Sequence, residues 1–202
     1  MRQPTQERGR RRRDALLDAG VDLLTEGGFT KVSHRAVAER ASLPLAATTY
    51  YFRSRDDLVR AAFERMVDRD LEATRERFTA RVGQLADTSP EAVAEALAAA
   101  LLPYDENERR RHLALWELYL QAGRDPALRP LARAWTDRCR ATTLELLRIA
   151  GYPATPDSVR LLGAAADGLA IEAIVEDRPN AVQSMVETMS RALDWIRTTE
   201  GV

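Results

Sequence analysis

The stretch GFTKVSHRAVAERASLPLAATTYYFRSRDDL, residues 28–58, decides how the chain is read. Ser33 suits the N-cap of a short helix that carries Ala36, Val37 and Ala38 and runs out near Ala41-Ser42-Leu43. Pro44 fits the first turn of a following helix, where its missing N–H is no loss, and that helix reaches only to about Phe52. Two short helices joined by a tight turn result. The second is too short to be stable alone, and it offers two hydroxyls and two phenols instead of a continuous apolar face. Small and hydrogen-bonding side chains on a short second helix are what the recognition element of a helix-turn-helix needs in a major groove.

Upstream, Leu16, Leu17, Gly20, Leu23 and Leu24 recur at helical spacing, with Asp14, Asp18, Asp22 and Glu26 on another face, and the pattern stops at Gly27-Gly28. Residues 1–13 hold six arginines against Glu7 alone, and Pro4 and Gly9 discourage helix, so they read as a mobile basic arm, phosphate-seeking or merely solubilising. Downstream, Ser54-Arg55-Asp56-Asp57 has the form of a capping box and opens a helix to about Gly83, with Val59, Phe63, Met66 or Val67, Leu71, Thr74 and Phe78 as its buried stripe. Helices over about 91–102, 106–122, 126–150, 156–177 and 180–198 follow, separated by Pro- and Gly-bearing breaks. The expectation is an all-α chain of about nine helices: residues 1–54 form a helix-turn-helix module, residues 55–202 a second helical domain, and the long fourth helix joins them rigidly.

Composition agrees. The chain is 45 % hydrophobic, enough for a buried core, while aromatics make up 6 % and leave strands little to build with. One cysteine, Cys139, excludes an internal disulfide and a multi-cysteine metal cluster. No apolar leader and no run of about 18 apolar residues occurs, so a cytoplasmic protein without membrane contact is expected. The net charge of −1 hides an asymmetry: residues 1–60 carry 12 Arg or Lys against 8 Asp or Glu, the remainder 18 against 23. The basic excess sits at the helix-turn-helix end, where a phosphate backbone would be met. Little supports an enzyme. His34 and His112 are the only histidines, no phosphate-cradling loop or nucleophile–base spacing is present, and Asp167 and Glu172 lie five apart instead of three or four. No metal and no cofactor are expected.

The ordered set Gly28-Phe29, Val32-Ser33, Val37-Ala38, Ala41, Tyr51-Phe52, Ser54-Arg55 and Leu58 resembles the DNA-binding module of the TetR family of bacterial regulators. Ser42 stands where that family usually has Gly, Pro44 where it has a Ser cap, Ala46 for Gly and Thr49 for Tyr. The resemblance implies Ser33 and His34 at phosphate, Arg35 at a base edge or phosphate, Leu45, Ala46, Ala47, Thr48 and Tyr50 facing the groove beside Pro44 and Thr49, and Tyr51 and Arg55 on phosphates. It implies a regulator, usually a repressor, that binds double-stranded DNA at a palindromic operator and is released by a small effector.

The second half shows stripes that read as core or as pocket: Trp116, Tyr119 and Leu120 on one helix, and Leu131, Trp135, Cys139, Thr142 and Leu146 on the next. The family's apolar ligand cavity makes Met66, Tyr104, Trp116, Tyr119, Trp135, Cys139 and Leu169 candidate pocket residues. With no cluster of opposing charges apparent in the sequence, an apolar or aromatic effector is expected. The last two helices carry a small-residue stripe with Leu162, Ala166 and Leu169 and a long apolar one with Val182, Met185, Val186, Met189, Leu193 and Ile196. They would form half of a four-helix bundle completed by a homodimer, the alternative being that they close a monomeric core.

Overall fold

The computed structural model describes residues 4–103 and 105–200. Among them are nine α-helices and no strand: α1 (Pro4–Lys31), α2 (His34–Arg40), α3 (Leu45–Tyr51), α4 (Arg55–Val82), α5 (Pro90–Leu101), α6 (Glu106–Arg124), α7 (Arg129–Ile149), α8 (Pro156–Glu176) and α9 (Ala181–Glu200). The one-turn 3-10 segment Pro126–Leu128 precedes α7. Side-chain caps start five of the helices, α4 among them, where Ser54 accepts from the Asp57 N–H at 3.1 Å. Ser33 accepts from the Ala36 N–H at 3.1 Å, Ser89 from Ala92 at 3.3 Å and Asp105 from Glu108 at 2.8 Å. Thr155 and Ser158 form a reciprocal capping box.

The chain packs as two compact units, Met1–Arg69 with Asp105–Ala132 and Asp70–Tyr104 with Arg133–Val202. Residues of α4 and α7 fall in both. In the first unit α1 packs on α2, α3 and α6, and α2 packs on α3. Its core contains Leu16, Leu24, Val32, Val37, Leu58, Phe63, Met66, Leu115 and Leu118. In the second unit α9 packs on α5 and α8, burying Val93, Leu97, Ile174, Met185, Met189, Leu193 and Ile196.

Three devices place the short helices. The backbone leaves the helical region at Gly27 and Gly28, and Gly28 adopts φ +65°, a conformation that only glycine takes without strain. Arg55, at the start of α4, donates from Nε to the Val32 carbonyl at 2.8 Å and from a guanidinium nitrogen to the Phe29 carbonyl, clamping the chain as it leaves α1. Arg40 on α2 holds Glu26 of α1 with two parallel 2.8 Å bonds, and this pairing draws the Glu26 carboxyl below its ordinary range. Ser42, in the turn between α2 and α3, has φ +52°, a left-handed backbone that favours glycine.

The basic N-terminal segment differs from expectation. It is helical from Pro4 onward and continuous with the rest of α1. Proline is well tolerated in a helix's first turn, where the N–H it lacks would find no partner, and Glu7 pairs with Arg11 one turn on at 2.7 Å.

α1 and α4 approach closely at Gly20. A Cβ added at Gly20 would stand 2.8 Å from the Cβ of Ala62, and neither atom belongs to a flexible side chain. Overpacking of this kind costs about 1–3 kcal/mol, offset in part by the better helix propensity of alanine, about 1 kcal/mol. Gly20→Ala should therefore destabilise the chain by up to about 2 kcal/mol in a chemical-denaturation titration, and a raised midpoint would mean that the helices separate freely there.

Candidate nucleic-acid interface and ligand-binding region

α3 has two faces of different character. Leu45 is 51 % exposed and Tyr50 81 %, and Pro44, Ala46 and Thr49 share that open side, with Ala47 half-buried beside them. Thr48 is fully buried and donates its hydroxyl to the Leu45 carbonyl at 2.8 Å, so it faces the core and not the groove. The correction is one of helical phase. Thr48 is followed by Phe52, also buried, one turn further on. Tyr51 also departs from the phosphate role. Its ring is half-buried, and its hydroxyl donates to the Gly9 carbonyl of α1 at 3.0 Å. Arg55, exposed, donates from two of its guanidinium nitrogens to the carbonyls of Val32 and Phe29.

On α2, Arg35 is exposed beside the Ser33 cap. His34 is half-buried, and its Nδ1 is enclosed without a hydrogen-bond partner. Arg8, Arg10, Arg11, Arg12 and Arg13 of α1 are exposed, and the Arg13 guanidinium lies 5.8 Å from the centre of the Phe52 ring.

The second unit holds polar groups in its interior. α4 contributes Asp70 and Thr74, one turn apart and both buried; α7 contributes buried Thr142 and half-buried Trp135 and Cys139; α8 contributes half-buried Leu169. Burial, then the charges of Asp167 and Asp70, push the Cys139 thiol up to about 12. Arg75 of α4 and Glu145 of α7 are linked by bonds of 2.8–3.1 Å, which draw the Glu145 carboxyl down. The other pocket candidates fall in the first unit or outside the described residues. Met66 is buried in the first unit, Trp116 is half-buried there with its ring edge-on to His112, and Tyr104 lies outside the described residues.

Two family profiles match the sequence: "Bacterial regulatory proteins, tetR family" over residues 16–62, and "Tetracyclin repressor-like, C-terminal domain" over residues 88–194. The chain belongs to the TetR family of transcriptional regulators. A curated relative, the HTH-type transcriptional regulator BetI of Burkholderia mallei, is 26 % identical over 92 % of this chain and 93 % of its own. Among solved structures, SCO7518 from Streptomyces coelicolor A3(2) superposes with a TM-score of 0.71 at 31 % identity, covering 90 % of this chain and 98 % of that one. The multidrug binding protein EbrR complexed with proflavin superposes at 0.61 with 32 % identity, over 90 % and 99 %. The TetR architecture, a helix-turn-helix followed by a helical domain, is thus what the structure displays.

Against that architecture, the sequence-based site residues need two further corrections. Tyr119 is 50 % exposed and Leu120 also lies outside, because α6 buries Ala114, Leu115, Leu118 and Ala122, a stripe rotated from the one drawn through its aromatics. Leu162, Met185, Met189, Leu193 and Ile196 are buried within one chain and have no surface left for a partner. The periodicity of α9 was real, but it faces α5 and α8. What the sequence reading missed is Asp70. A carboxylate within an apolar stripe is a visible irregularity, yet only packing shows that it points inward.

The raised thiol has a direct readout. Only the thiolate alkylates, and at pH 8 a group titrating near 12 is ionised in roughly one molecule in 10⁴. Iodoacetamide at pH 8 should leave Cys139 of the folded chain unmodified and label it fully in denaturant; equal rates in the two states would contradict the burial.

Proposed function

We propose that the chain is a repressor that binds a palindromic operator as a homodimer and is released by an aromatic effector. The observation that carries the DNA-binding half is the two-sidedness of α3. Buried Thr48 and Phe52 hold its inner side, while Pro44, Leu45, Ala46, Thr49 and Tyr50 stand open on a helix too short to persist without that support. Apolar methyls at Leu45 and Ala46 suit the thymine methyl, Thr49 and Tyr50 supply hydroxyls for base edges or phosphate, and Arg35 supplies the bidentate donor that guanine accepts best. Two such helices about one turn of DNA apart, roughly 34 Å, read a palindrome.

The pairing surface proposed is the outer face of α8. Leu161, Ala164, Gly168, Ile171 and Val175 recur at steps of three and four, all are exposed, and Val182 at the start of α9 is exposed too. This stripe lies about 100° around α8 from Leu162. Ala166, Leu169 and Val186, half-buried, border it. An exposed apolar ridge with small residues at its centre permits close helix packing and is what a two-fold partner would cover.

For the effector, the proposed site lies in the second unit around Trp135, Cys139 and Leu169. Support comes from EbrR, solved with proflavin and with ethidium, both flat aromatic dyes. A chain with these properties acts in the cytoplasm, where its DNA is.

The deciding experiment is selection of binding sites from random duplex DNA with the purified protein, followed by titration of proflavin into the complex. One palindromic motif should emerge. Arg35→Ala should weaken binding to it by about tenfold or more, the equivalent of 1–3 kcal/mol, at an unchanged melting temperature. Absence of any enrichment at low salt overturns the reading, and retention of DNA at saturating proflavin overturns the effector class.

The dimer is tested separately. Ile171→Glu with Val175→Glu should convert a dimer to a folded monomer in sedimentation analysis; a wild-type monomer at micromolar concentration would overturn the α8 surface.

A further inference from the structure

We infer that the N-terminal three turns of α1 are a second DNA-binding element, docked on the recognition helix by Tyr51 and gripping duplex phosphates through Arg8, Arg10 and Arg12. The inference rests on the DNA-binding reading above and adds to it a contact outside the helix-turn-helix.

The segment has nothing to bury. From Pro4 to Arg13 there is no large apolar side chain, and the first leucine of the core is Leu16. Yet it is held in register with α3. The Tyr51 hydroxyl donates to the Gly9 carbonyl at 3.0 Å, and one turn further on Arg13 lies over the Phe52 ring. A Cβ at Gly9 would stand 3.6 Å from the Tyr51 oxygen, ordinary contact distance, so the helix approaches as closely as a side chain allows. Tyr51 and Phe52 follow Tyr50 directly, and the rings of Tyr50 and Tyr51 meet edge-on with centres 4.9 Å apart. The arginine cluster is therefore tied to the residues that flank the open face of α3.

Its charge is unbalanced. Gly9 and Arg13 mark the docked side of the helix; Arg8 and Arg12 lie one turn apart on one flank, and Arg10 on the other. None of these three forms an ion pair among the described residues, because Glu7 is taken by Arg11. Like charges one turn apart destabilise a helix, so the cluster is unfavourable by itself and becomes favourable beside a polyanion. A duplex already placed against Tyr50 is that polyanion.

The test compares affinities for the selected duplex over a salt series. Each phosphate contact contributes about 0.9 to the slope of log K against log salt. The Arg8→Ala/Arg10→Ala/Arg12→Ala variant should have a slope shallower by about 2 or more per protomer, on selected and on random duplex alike. Its base preference in a repeated selection should be unchanged, and so should its melting temperature, since alanine is the best helix former. Tyr51→Phe should lose part of the same slope in the wild-type chain and nothing further in the triple variant.

Wild-type binding with an equal slope in the triple variant overturns this inference alone. So does an equal loss from Tyr51→Phe in both backgrounds, which would put the hydroxyl itself on DNA. A wild-type chain that binds no duplex at all overturns the DNA-binding reading and this inference with it.

Discussion

The DNA-facing half of the molecule depends on how closely α1 and α4 can approach. Gly20 against Ala62 sets that distance, and the charged residues beside it follow: Arg65 reaches Asp14 at 3.5 Å and Asp18 at 3.0 Å, and Arg69 reaches Asp18 at 2.6 Å. A larger residue at position 20 would spread the helices and lengthen these bonds together. The start of α4 also carries Arg55, whose guanidinium holds the end of α1. One helix thus fixes another along its length by contact, by charge and by a carbonyl clamp. The two short helices hang from that frame, α2 through Glu26–Arg40 and α3 through Tyr51.

Much of the fold was legible because most helices announce their ends. Pro44, Pro90 and Pro156 sit at helix starts, Ser33 caps as its type suggests, and Gly27-Gly28 breaks α1 where the leucine pattern stops. The stripe of α4, from Val59 through Phe78, is buried as its spacing implies. The basic segment was harder to read. Pro4 and Gly9 argue against helix locally, and the bond that holds Gly9 comes from Tyr51, 42 residues away.

The site residues were legible by type and less so by direction. Arginine and tyrosine in a DNA-binding module invite a phosphate role, yet Arg55 and Tyr51 direct their polar atoms into their own chain. Each offers several donors or a long reach, and composition does not tell which acceptor is nearest. On α3 a single helical step separates exposed Thr49 from buried Thr48, a difference smaller than the uncertainty of phase in a seven-residue helix. On α9 the pattern was strong, but an apolar stripe looks the same whether a neighbouring helix or another molecule covers it.

Thr48 has one more implication. α3 has no side-chain cap at Pro44 and gives way to extended backbone at Phe52, so its seven residues rely on a few inward anchors and contribute few hydrogen bonds of their own. Helices of that kind open locally at far lower free energy than the global transition. Amide protons of α3 should exchange with solvent well ahead of those in α4. On the proposed DNA-binding reading, operator binding would do two things at once: read bases and order the reader. Part of the interaction energy of such a complex would go into that ordering, so a sequence that met the open face of α3 poorly would also fail to complete the helix that reads it.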